Sequence, residues 1–180
     1  MKGLENKKGF TLVELLAVIV VLAIVMVLAT TTVLPYMTKS TNNAFAIEAN
    51  GAIDAASQAM SLISIGSIPV TENDADFSKE VTTDAEGNVT GTKYCFSLKK
   101  LVDLGLLKKD VDEVNKGGNY AGTVVVTETT TSKAFSYAVE MHNKDLYVKN
   151  SSGTVDGETD VLDYTEEVDL KTSCTVVEPS

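Results

Sequence analysis

From Leu15 to Ala29 no side chain carries a polar group, and the wider stretch Phe10–Leu34 is broken only by Thr11, Glu14 and Thr30 to Thr32. A helix needs about 20 such residues to cross a bilayer, so this segment predicts a single membrane-spanning helix at the amino end. After Thr38 the chain turns polar, with no second apolar run of that length. Before the run, Lys2, Lys7 and Lys8 stand against Glu5 alone. Positive flanks stay in the cytoplasm, which predicts an amino end inside and the acidic bulk of the chain outside.

Two residues set this segment apart from a plain anchor. Glu14 places a carboxylate inside the apolar run, where burial in lipid costs about 2.5–3.5 kcal/mol or more, so it marks a functional position. Gly9, directly before Phe10, gives a side-chain-free, flexible point at which a peptidase can take the chain in extended form. Cleavage there would make Phe10 the new amino terminus, with Glu14 four residues away on the same helical face and able to pair with an amine of its own or a neighbouring chain.

Lys7-Lys8-Gly9-Phe10-Thr11-Leu12-Val13-Glu14-Leu15-Leu16 resembles the cleavage and methylation motif of type IV pilins and the related pseudopilins. The resemblance covers about the first 35 residues. It implies a pilin fold, cleavage between Gly9 and Phe10 by a prepilin peptidase, N-methylation of Phe10, and a Glu14 that lies unpaired in lipid until it meets the Phe10 amine of an adjacent subunit. The partners it implies are the peptidase, an assembly machinery in the membrane, lipid before assembly, and further copies of the chain in a helical surface fibre serving adhesion, twitching motility or biofilm. Many members kink this helix with a proline placed earlier than Pro35.

Beyond the membrane, Phe45, Ala49, Ala52, Ile53, Ala56, Ala59, Met60 and Ile63 recur at steps of three and four, predicting that the helix continues in amphipathic form until Gly66 and Pro69 stop it. The expected division is a leader over 1–9, a transmembrane or filament-core helix over 10–34, an amphipathic helix over 35–65 and a soluble head over 66–180. Within the head, Val70–Thr92 reads as a long surface connection with a turn at 86–88, Ser97–Leu107 as a short helix ending near Gly105, and Tyr120–Glu128, Ala134–His142 and Asp145–Asn150 as three strands of a meander. The tail from Ser151 reads as loop, with one further strand over Ser173–Val177. The fold class is therefore α+β, a long helix packed on a small antiparallel sheet.

Composition removes several classes. The chain carries 25 acidic residues against 15 basic ones, every one of them Lys, for a net charge of -10. Nucleic-acid binding, which needs clustered cations, is not expected. With one His and two Cys, and no paired metal-ligand spacing, neither a zinc site nor a cofactor is expected. Cys95 and Cys174 both fall in the exported part, where an even pair favours a disulfide; two thiols too far apart to meet remain the alternative. Asp156, Glu158, Asp160 and Glu167 occupy the first, third, fifth and twelfth places of a calcium loop, but Val161 stands where the turn needs Gly, which favours a solvated acidic loop. His142 reads as a surface residue at a strand end, and Asn88 and Asn150 fit the glycosylation sequon. No catalytic carboxylate pair or phosphate loop is present. The chain reads as a structural subunit of a type IV pilus rather than an enzyme, membrane-bound before assembly and extracellular after it. The alternatives are a pseudopilin of a type II secretion or competence system and an uncleaved membrane-anchored binding domain.

Overall fold

The computed structural model describes residues 11–68, 74–108, 120–165, 167, 168, 170 and 174. Gly9, Phe10 and Pro69 lie outside them, as does the strand expected over Ser173–Val177 apart from Cys174. The chain divides between Ser40 and Thr41 into two compact units. Helix α1 (Leu12–Ser64) begins in the first unit and contributes its last turns to the second.

Helix α1 ends where the sequence predicts. Gly66 adopts φ 73°, its N–H bonds the Ile63 carbonyl at 3.0 Å, and the Ser67 N–H reaches back to Leu62 at 2.9 Å. This pair of bonds closes a helix on a residue in the left-handed region, which glycine enters without steric cost.

Within the second unit, strands β1 (Phe77–Thr83), β2 (Val89–Ser97), β3 (Ala121–Thr129), β4 (Phe135–His142), β5 (Leu146–Asn150) and β6 (Val161–Asp163) form one antiparallel sheet in sequence order. Its core-facing side carries a continuous rung, Phe77 opposite Phe96, Phe96 opposite Val124 and Val124 opposite Val139. A second rung aligns Met141, Val148 and Val161. Phe45, Ala49, Ala52, Ala56, Ala59 and Met60 of α1 are buried in the same cluster, so the three-and-four periodicity is the core face. The small alanines of α1 are buried together with the large sheet residues, whose burial supplies most of the driving force.

Four expectations need correction. Val70–Thr92 is not a surface connection, because β1 and the first half of β2 occupy much of it. β1 is an edge strand whose middle residues, Lys79, Glu80 and Val81, are exposed, so no alternation betrays it. β2 alternates Tyr94 and Phe96 inward, but Gly91 obscures the pattern. That glycine is required, since a Cβ would stand 2.6 Å from the Glu128 carbonyl oxygen across the pair. The short helix α2 is confined to Leu98–Asp103. Ser97 caps it by accepting the Lys100 N–H at 3.0 Å, and Gly105, at φ 72°, closes it as Gly66 closes α1. The tail contains β6, too short to show a period, and His142 is buried at 8% exposure, its ring stacked on Tyr164 at 4.4 Å.

The β5–β6 connection is locked to α1. The Asn50 carboxamide donates to the Val155 carbonyl at 2.8 Å and accepts its N–H at 2.9 Å, while Gly157 lies against Asn43 so closely that a Cβ would come within 2.7 Å of the Asn43 Cα. Asn50→Ala would leave two backbone groups of this connection unpaired, at about 1–3 kcal/mol. The expected outcome is a lower urea midpoint with unchanged slope, together with faster proteolytic nicking over 151–160.

Candidate functional site

Among the described residues, the start of α1 carries the most specific chemistry. Thr11 precedes the first helical residue, and the Glu14 Oε2 accepts both the Thr11 N–H at 2.8 Å and the Thr11 hydroxyl at 2.9 Å. In return the Glu14 N–H approaches Thr11 Oγ1 at 3.3 Å. This is a capping box, in which two otherwise orphaned backbone donors of a helix terminus are satisfied reciprocally. It alters the expectation that Glu14 lies unpaired before assembly, because the carboxylate already accepts two hydrogen bonds from its own chain. The sequence carries the signal for this cap, a Thr followed three residues later by Glu ahead of an apolar run.

Below this cap the side chains of the first unit are exposed among the described residues. Leu12 is 80% exposed and Met26 72%, and large apolar residues point outward on every side of the helix over residues 12–34. A helix apolar all round needs lipid or other helices around it, and α1 is long and apolar enough to cross a membrane. Further along, the Thr30 and Thr31 hydroxyls bond the Val27 and Leu28 carbonyls at 2.9 and 3.0 Å, and Pro35 lies inside the helix. Hydroxyl back-bonding and a missing N–H both weaken the backbone ladder locally. Pro35→Ala is expected to raise helicity in detergent, read as far-UV circular dichroism at 222 nm.

In the second unit Cys95 and Cys174 form a disulfide, with Cα atoms 5.6 Å apart. Beside it, Asp74 accepts the Lys100 ammonium at 2.7 Å and the Asp76 N–H at 3.0 Å. Asp76 accepts the Ser97 hydroxyl at 2.9 Å and pairs with Lys99. The Lys100 hydrogen bond, then that from Asp76, holds the Asp74 carboxyl below the usual carboxylate range. A carboxyl lowered in the folded state stabilises it fully above the unfolded value of about 3.9, and this is lost as pH falls through the lowered value. Thermal unfolding should therefore show a falling Tm below about pH 4, and Asp74→Asn should lower Tm near neutrality and flatten that fall, the two chains converging at low pH.

The acidic tail residues are engaged locally. Asp160 accepts Asn150 Nδ2 at 2.9 Å and the Asp156 N–H at 2.8 Å, and Asp156 accepts the Glu158 N–H at 2.7 Å. Among the described residues no group of three or more His, Cys, Asp or Glu side chains is arranged to hold a metal ion, and Glu167 is exposed.

An exposed apolar helix opening on a Thr–Glu cap and leading into an antiparallel sheet defines a structural, prepilin-type arrangement of the α+β class. Residues 5–30 match the family model of the prokaryotic N-terminal methylation motif, which is the leader of type IV pilins. The match supports a pilin-like or pseudopilin-like, prepilin-type protein with a structural role, and the leader implies processing by a prepilin peptidase and handling by an assembly machinery. The leader and the apolar helix fit anchoring in a membrane before assembly. Comparison with curated proteins and with solved structures gives no significant match.

Proposed function

We propose that the protein is the subunit of a type IV pilus. A prepilin peptidase cuts after Gly9, Phe10 is N-methylated, and the helices over 10–34 polymerise as the core of an extracellular fibre whose surface is the sheet-bearing head. The amino end faces the cytoplasm and the head the outside before assembly, as the Lys-rich flank favours. The observation that carries this reading is the Gly9-Phe10-Thr11…Glu14 sequence at the head of a helix whose apolar surface is uncovered on all sides.

The capping box supplies a physical account of how a carboxylate is tolerated in lipid and then used. In the lone subunit Thr11 satisfies Glu14 Oε2, which lowers the cost of holding it away from water. In the fibre the Phe10 amine of a neighbour offers a full opposite charge in a low-dielectric core, a stronger partner than a hydroxyl. Assembly then exchanges one hydrogen-bonded state of Glu14 for another without passing through a bare buried charge. The apolar face contributes little to the difference, since lipid and neighbouring helices are alike to it.

The test is intact mass and amino-terminal sequencing of the protein from its native cell, with sheared surface material beside the membrane fraction. N-methyl-Phe10 abundant in sheared fibres supports the pilus subunit. The same terminus confined to the membrane identifies a pseudopilin instead, and an intact leader identifies an anchored domain.

A further inference from the structure

We propose that Asn88 is the acceptor of an N-linked saccharide and that Asn150, which fits the same sequon, is not; the site stands on the β1–β2 hairpin and is independent of the pilus reading. Asn88-Val89-Thr90 and Asn150-Ser151-Ser152 both carry the pattern Asn-x-Ser/Thr without an intervening proline. Transfer of a sugar needs a carboxamide that can turn out into a transferase, with the hydroxyl two residues on free to follow it. The sequence does not choose between the two sites, but their hydrogen bonds do.

The loop 85–87 joins β1 to β2. The Gly87 N–H donates to the Asp84 carbonyl at 3.1 Å and the Asp84 N–H to the Asn88 carbonyl at 3.0 Å, with Gly87 at φ 84°, which makes a three-residue hairpin loop closed by a left-handed glycine. Asn88 follows that loop directly, and Asn88, Val89 and Thr90 are all exposed. The Asn88 Nδ2 donates to the exposed Asp84 Oδ2 at 3.1 Å, and the Thr90 hydroxyl to the Thr82 carbonyl at 3.0 Å, so both contacts lie within this one hairpin. β1 ends the sheet and pairs with β2 alone among the described strands, and the tip therefore opens by losing a few exposed bonds while the core rungs stay closed. A saccharide there would extend into solvent and screen Val89, 53% exposed, on the hairpin that carries an open sheet edge.

Asn150 is held differently. It lies on β5, between β4 and β6, opposite Val139. Its Nδ2 donates to Asp160 Oδ2 at 2.9 Å, and its Oδ1 accepts both the N–H and the hydroxyl of Ser152, at 2.8 and 2.9 Å. The acceptor nitrogen and the hydroxyl of this sequon are thus both engaged, and freeing them breaks into the β5–β6 connection that Asn50 ties to α1.

In the reaction the Asn88 Nδ2 forms a bond to the anomeric carbon of a glycosyl diphosphate. The bond from that carbon to the diphosphate oxygen breaks, the diphosphate leaves with the electron pair, and one Nδ2 proton passes to a base of the transferase. No oxidant or reductant takes part.

The test is mass analysis of tryptic peptides of the full chain from its native cell. Cleavage after Lys separates the sequons, with Asn88 in the peptide Glu80–Lys93 and Asn150 in Asn150–Lys171. Glu80–Lys93 should carry an added saccharide mass and Asn150–Lys171 none. Asn88→Gln and Thr90→Ala should each abolish the adduct, Thr90→Ser should retain it, and Asn150→Gln should leave it unchanged. Retention in Thr90→Ser beside loss in Thr90→Ala separates recognition of the hydroxyl from any effect of a variant on folding. An unmodified Glu80–Lys93, an adduct that survives Asn88→Gln on a threonine of that peptide, or an adduct on Asn150 overturns the proposal. The donor is identified with the unmodified full-length chain in detergent. Transfer by washed native membranes alone assigns a lipid-linked diphosphate, and transfer that requires cytosol and an added nucleoside-diphosphate sugar assigns that donor; either supports Asn88 as the acceptor, and transfer by neither counts against it.

Discussion

Glu14→Ala is expected to leave removal of the leader intact and to cut the yield of sheared fibre by at least tenfold. In a low-dielectric core, taking away one partner of an ion pair leaves the other charge uncompensated at about 3–5 kcal/mol, enough to suppress a polymerisation built from many such steps. Glu14→Gln separates the two roles of this side chain. It can still accept from Thr11 and close the cap, but it cannot balance a cationic amine, so it should match Glu14→Ala in fibre yield while keeping the helix start. Thr11→Val should do the reverse, loosening the cap by about 1 kcal/mol with a smaller effect on fibres. Quantitative immunoblots of sheared and membrane fractions read all three, and normal fibre yield from Glu14→Ala would remove Glu14 from the mechanism.

Gly122→Ala carries the largest expected effect on the head. Gly122 adopts φ 153° at the start of β3, and a Cβ there would overlap the Glu140 carbonyl oxygen and lie 2.7 Å from the Met141 Cα on β4. Both obstacles are backbone, so relief requires separating two strands that flank the rung of Met141 and Val148. A loss of about 3 kcal/mol or more is expected, seen as a collapse of the urea midpoint. Gly51→Ala is the matched control. Gly51 is helical with nothing within 4 Å of an added Cβ, so the same change should stabilise by about 0.5–1 kcal/mol through helix propensity.

What the sequence made legible follows from where each signal is local. The apolar run, the stops at Gly66 and Gly105, and the strands of β3, β4 and β5 depend on neighbours in the chain, and each appears close to its expected bounds. The disulfide favoured from compartment alone is present. β1 escaped because an edge strand exposes one flank and needs no apolar alternation, and β2 because Gly91 answers to a carbonyl on another strand. His142 looked exposed because Tyr164, which covers it, arrives from beyond the next two strands. At the amino end, Glu14 was picked out by its cost in lipid, whereas its partner Thr11, three residues away, needed the geometry of a helix terminus to be seen.

The order of the sheet, each strand beside its predecessor, bears on how the head forms. Every ladder joins segments adjacent in the chain, so pairing advances hairpin by hairpin and no strand waits for a partner synthesised much later. Such local wiring lowers the entropy that must be lost before contacts form and favours fast folding. A head whose strands emerge in chain order could therefore acquire its structure progressively, each new strand adding to the growing edge while β1 stays at the other.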